Sequence, residues 1–248
     1  TLQTRQLSAA ASRISVGAVP QGLEGLVFSD GALGSFANAE DLTLKSYSTI
    51  DLYGPVKLAA SDGLRLDTRE VRVIGAGGGE AAIKAKTLTL ANSVGGAATA
   101  TAGTATLTLD AANLYVEGED KWLSGVSRVN LTAAERIIGR DDTTLYVPGR
   151  LDISAGGLTA ASSARLFLDA AGDINVAYNG NAALPEFKSF GSTLGLVGKA
   201  INYAGQTRIT GGTITLQARS GDVVLDQGSV LDVTSNVSRF FDKSVGVS

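Results

Sequence analysis

The chain has 248 residues, 24 acidic and 21 basic, for a net charge of −3. It contains no Cys, no His and no Met, which excludes disulfides, imidazole or thiolate metal sites, and Ser-His-Asp or Cys-His catalysis within the chain. Without a basic run, this charge balance argues against a nucleic-acid footprint.

Thr1 stands where an initiator Met would be, so the expectation is a processed product or an excised segment. Thr1 to Ala11 carries Arg5 and Gln6 but no apolar core of a signal peptide. No run of about 18 uncharged apolar residues is long enough for a membrane-spanning helix. The length suits one all-β domain.

Residues 1–40 hold two apolar-x-apolar words, Ile14 with Val16 and Leu26 with Phe28, and read as irregular coils or a cap. From 41 to 235 the word recurs steadily. It appears as Leu42-Thr43-Leu44, Leu64-Arg65-Leu66, Leu88-Thr89-Leu90, Leu107-Thr108-Leu109 and Val129-Asn130-Leu131. It continues as Leu151-Asp152-Ile153, Ile174-Asn175-Val176, Leu194-Gly195-Leu196, Ile214-Thr215-Leu216 and Leu231-Asp232-Val233. The intervals are 22, 24, 19, 22, 22, 23, 20, 20 and 17 residues, with a mean of 21. Residues i and i+2 share one face of a strand, so each word is a short strand. Self-similarity near 20 residues marks a solenoid.

A weaker word falls between these, at Ile50-Asp51-Leu52, Val71-Arg72-Val73, Leu114-Tyr115-Val116, Leu166-Phe167-Leu168, Ile201-Asn202-Tyr203 and Val223-Val224-Leu225. Gly-rich corners such as Gly77-Gly78-Gly79 and Gly95-Gly96 separate the strands. The expected fold is therefore all-β, a parallel β-helix solenoid of about 21 residues per coil. An antiparallel sandwich is the structural alternative, but it lacks this superperiod. Three stretches depart from the word, near 117–127, 133–148 and 177–191, and are expected as surface insertions. Residues 236–248 read as a C-terminal cap or junction, in which Phe240 and Phe241 cover the last coil or dock onto another chain.

The words Gly149-Arg150-Leu151-Asp152-Ile153-Ser154-Ala155-Gly156-Gly157-Leu158 and 221–233 resemble the repeats of filamentous-haemagglutinin-like large exoproteins, the passengers of bacterial two-partner secretion. The resemblance spans roughly residues 40 to 235 and lies in repeat texture. It implies a right-handed β-helical rod, located outside the cell or on the bacterial surface, that mediates attachment or fibre assembly. It further implies an outer-membrane transporter for the parent chain and glycan or protein partners on host or bacterial cells; end-to-end self-association is expected from the unpaired backbone groups and apolar ladders that the terminal coils of a solenoid expose.

Within the residues themselves, Trp122, Tyr146, Tyr178, Phe187 and Phe190 gather in or beside the expected insertions. Aromatic faces on loops stack on sugar rings or anchor a partner, which makes Trp122, Tyr178, Phe187 and Phe190 the candidate contacts; packing of the insertion onto the rod is the alternative. The rival reading is a carbohydrate-active β-helix enzyme, a polysaccharide hydrolase or lyase, centred on Asp141, Asp142 and Glu117. Adjacent carboxylates diverge on a strand, so a charged turn is the expectation for Asp141-Asp142. Glu117, Glu119 and Asp120 beside Lys121 lack calcium-loop spacing and read as a solvated loop. No catalytic residue, metal ligand or cofactor is assigned.

Overall fold

The computed structural model describes residues 5–36, 39–75, 77, 79–180 and 189–234. The chain winds through three faces in a repeating order. β1 (Gln6–Ala11) and β2 (Ile14–Gly17) make the first pass, and β3 (Leu26–Ser29) returns beside β2 before the short helix α1 (Asp30–Phe36). β4 (Asp41–Ser46), β7 (Gly63–Asp67) and β10 (Thr87–Asn92) then stack on β1 as face I. β5 (Thr49–Tyr53) and β8 (Glu70–Ile74) stack on β2 as face II. β6 (Lys57–Ala59) and β9 (Glu80–Lys84) open face III.

Three long strands, β11 (Ala102–Gly118), β13 (Val126–Gly139) and β15 (Arg150–Ala160), bend from face III into face I. β11, for example, pairs β9 over Thr106 to Asp110 and β10 over Asn113 to Gly118. Face II continues through β12 (Lys121–Ser124), β14 (Thr143–Val147), β16 (Arg165–Ala170), β18 (Thr193–Gly198) and β21 (Thr213–Ala218). Face III continues through β17 (Ile174–Tyr178), β19 (Ile201–Ala204) and β22 (Val223–Leu225). β20 (Gln206–Arg208) and β23 (Val230–Asp232) pair with each other. All these pairings are parallel, and the whole is a β-solenoid of about 8 turns with ~23 residues between parallel bridges.

The observed turn exceeds the 21-residue mean of the Leu-rich words for a geometric reason. Leu42, Leu64 and Leu88 lie on face I, but Leu107 to Ile174 lie on face III, Leu194 and Ile214 on face II, and Leu231 on β23. Each change of face joins strands less than one full turn apart. Those steps are 19, 20 and 17 residues, at Leu88 to Leu107, Ile174 to Leu194 and Ile214 to Leu231, while the other 20-residue interval, Leu194 to Ile214, is a short full turn on face II.

The expected insertions near 117–127 and 133–148 are instead regular parts of the coil. They contain the end of β11, β12, the second half of β13, and β14. Polar inward positions hid them: the apolar word fails at Lys121 in β12 and at Thr143 in β14, which are 1% and 3% exposed. Of 177–191, Tyr178 ends β17, and 181–188 lie outside the described residues.

The core is a set of ladders. On face III, Leu58, Ile83, Leu109, Leu131, Ile153, Val176 and Tyr203 stack in register from coil to coil, each at most 5% exposed. A single coil cannot bury these side chains, and each buried Leu or Ile gains about 1.5–3 kcal/mol only because its neighbours supply the cover. The N-terminal end is closed. Phe36 and Phe28 meet edge to face at 4.7 Å, and Ala32 and Leu33 of α1 pack against the core. At the other end, Leu225 continues the Tyr203 ladder but is 53% exposed.

Candidate binding surfaces

The structure separates the predicted aromatic contacts. Trp122 lies on the outer side of face II, because Leu123 takes the inward position. Its ring stacks on Tyr146 of the next coil, centroids 5.2 Å apart and planes 13° from parallel, and Trp122 is only 8% exposed. Tyr178 is half-buried at the end of β17, on another face. Phe190 is 52% exposed beyond the described break and pairs with Thr210 through an isolated bridge. Phe187, like Phe240 and Phe241, lies outside the described residues. The described aromatics therefore do not converge on one platform; Trp122 with Tyr146 is the pair that the fold assembles.

Face I carries a ladder of charges. Outward side chains repeat at the coil spacing, so residues distant in sequence become neighbours. Lys45 and Arg65 flank Asp67 at 3.9 and 3.8 Å. Arg65 also pairs with Glu117 two coils on, and Arg140 reaches the same carboxylate at 3.2 Å. The Arg140 guanidinium stands 3.6 Å from the Tyr115 ring centroid, a cation–π contact. Burial pushes the Asp67 carboxyl up, but the N–H and hydroxyl of Ser93 donate to it at 2.8 Å and, with Arg65 and Lys45, hold it below its ordinary value. On face II, Asp51 is fully buried and accepts Nε and Nη2 of Arg72 at 2.7 and 2.6 Å. These outer charges are paired from coil to coil.

The carboxylates of the enzymatic reading do not converge. Asp141 and Asp142 occupy the corner between β13 and β14, where Asp141 accepts the Gly118 N–H at 2.7 Å. Asp120 accepts the Thr144 N–H at 2.8 Å, while Glu117 is held by its two arginines on face I. Among the described residues, no group of three acidic side chains is placed to hold a metal ion.

Lys121, expected in a solvated loop, is instead 1% exposed. It points inward at the corner between faces I and II. Its Nζ donates to the carbonyls of Leu66, Thr68 and Ala91 at 2.9, 2.7 and 2.7 Å. Complete burial pushes its pKa from 10.5 down to about 7, with Asp67 pulling weakly upward. One signal was present in the sequence: Lys121 shares parity with Leu123, so a strand there forces it inside.

No family model, curated protein or solved structure matches the chain. The fold defines a class, the parallel β-solenoid.

Proposed function

We propose that this chain is a rigid β-helical segment of a bacterial surface or secreted filamentous exoprotein, serving attachment or fibre assembly rather than chemistry. The observation that carries the reading is the all-parallel stacking through about 8 turns, with the outward charges of successive coils neutralising one another. Such a scaffold resists bending and unwinding, because each coil is bonded to both neighbours. Its partners in this reading are surface glycans or proteins, other copies joined end to end, and the transporter that exports the parent chain; its place is outside the cell. The repeat texture of the filamentous-haemagglutinin-like exoproteins supports the same assignment.

A reducing-end assay tests it against the polysaccharide-hydrolase reading. The chain is incubated in catalytic amounts with acidic and neutral polysaccharides, beside an Asp142→Asn variant. No release above a blank is expected. Sustained release by the wild type that disappears in the variant overturns the structural reading.

A further inference from the structure

One turn of the solenoid lacks its face II strand. After β10 the chain does not enter the sheet; β8 pairs directly with β12, Glu70 opposite Trp122 and Arg72 opposite Ser124. Residues 93–101 cross outside the sheet over this seam. Their ends are pinned. The Gly95 N–H donates to Asn92 Oδ1 at 3.0 Å, the Thr101 N–H donates to Ser124 Oγ at 3.1 Å, and the Thr101 carbonyl accepts the Gly125 N–H at 2.7 Å. Between Gly96 and Ala100 no hydrogen bond joins the segment to the described residues. Gly95 and Gly96 both have positive φ, and the remainder is small: Ala97, Ala98, Thr99 and Ala100. This is a lightly held strap.

The groups beside it are unspent. Glu70 is 9% exposed, and its carboxylate makes no hydrogen bond or ion pair among the described residues; its charge acts at longer range on Arg72, whose guanidinium is bonded to Asp51 and Thr49. Arg69, whose guanidinium faces Gly96 of the strap, keeps a buried Nε without an acceptor. Trp122 lies next to Glu70 in register. A buried donor left unmade is destabilising, a penalty that a ligand bonding to Arg69 Nε and to the Glu70 carboxylate removes.

We propose that residues 93–101 are a strap over a binding site for a neutral hexose unit of a glycan, held by Glu70, Arg69 and Trp122. The pair of opposite charges favours a neutral ligand whose hydroxyls both donate and accept. A cation satisfies only Glu70, and an anion only Arg69. Trp122 is 8% exposed with one face on Tyr146, so lifting of the strap is what opens its other face to the C–H face of the sugar. This assignment deepens the attachment reading and names its ligand class.

Trp122 is the single tryptophan, so its emission reports the site without interference. The whole chain is titrated with glucose, galactose, N-acetylglucosamine and their oligomers, by fluorescence and by calorimetry. A saturable change with matching heat is expected, and Glu70→Gln weakens binding about tenfold, as expected for loss of a charge-assisted hydrogen bond. Should that variant lose its circular-dichroism signature, Arg69→Gln replaces it, read by calorimetry. No saturable signal with any sugar, equal affinity in a folded variant, or binding confined to acidic sugars overturns the proposal. An elongated particle that binds no sugar removes this site and keeps fibre assembly; sugar binding by a compact particle does the reverse.

Discussion

Lys121→Met is the perturbation that reads most directly on the interior. The wild-type amine passes from water, with a pKa of 10.5, to a sealed corner where burial lowers it to about 7. Between those values the unfolded chain binds a proton that the folded chain does not, so stability rises with pH. Each pH unit in that window is worth about 1.4 kcal/mol, or roughly 2.7 kcal/mol from about pH 7.5 to about pH 9.5. The benefit is complete only above the unfolded value and is lost as pH falls through about 7. Tyr203 sets the upper end of the useful range. Burial raises its hydroxyl from 10.0 to about 12, and a folded value above the unfolded one makes stability fall as pH climbs past 10. Methionine has similar reach and no charge, so the variant lacks the rise. Urea unfolding of both proteins at several pH values gives the comparison in slope, independent of the variant's absolute stability. Parallel profiles refute the reasoning and show that the three carbonyls fully offset burial by holding the ammonium form.

Other outcomes follow from the same packing. Leu131→Ala, in the middle of the face III ladder and fully buried, destabilises by about 2–5 kcal/mol in chemical denaturation, whereas Leu225→Ala, on the 53% exposed last coil, stays within about 0.5 kcal/mol. Arg72→Met leaves the buried Asp51 carboxylate with Arg13 alone, at 3.7 Å, and costs about 1–3 kcal/mol by the same measurement, while Arg5→Met, whose partner Glu40 is exposed, is near neutral. Gly125 has φ +76° and faces the Val73 carbonyl, so Gly125→Ala lowers the thermal midpoint by more than Gly180→Ala, where φ is +83° but the space is open.

The fold was legible because the two-residue period and the repeat survive at nearly every coil. The words around Leu64, Leu131 and Ile153 all mark real strands. What escaped depends on interior chemistry that composition does not display. Lys121 and Thr143 occupy inward positions, so β12 and β14 looked like loops. Repeating words on three faces were indistinguishable by residue type, which shortened the apparent turn. The candidate site was less legible. Trp122 was singled out, but its neighbours Glu70 and Arg69 lie some fifty residues earlier and meet it only because one strand is skipped. The charge ladder from Lys45 to Arg140 needs coil-to-coil register, which no local pattern carries.

Small-angle X-ray scattering over a concentration series tests the central claim, that this chain is a stiff rod that acts through its surface and ends. At the ~4.8 Å strand spacing, about 8 turns give a solenoid body of roughly 40 Å. An elongated particle of that order is expected, with a cross-section that stays constant while any association adds length. A compact particle, or association that thickens the cross-section and leaves the length unchanged, contradicts it.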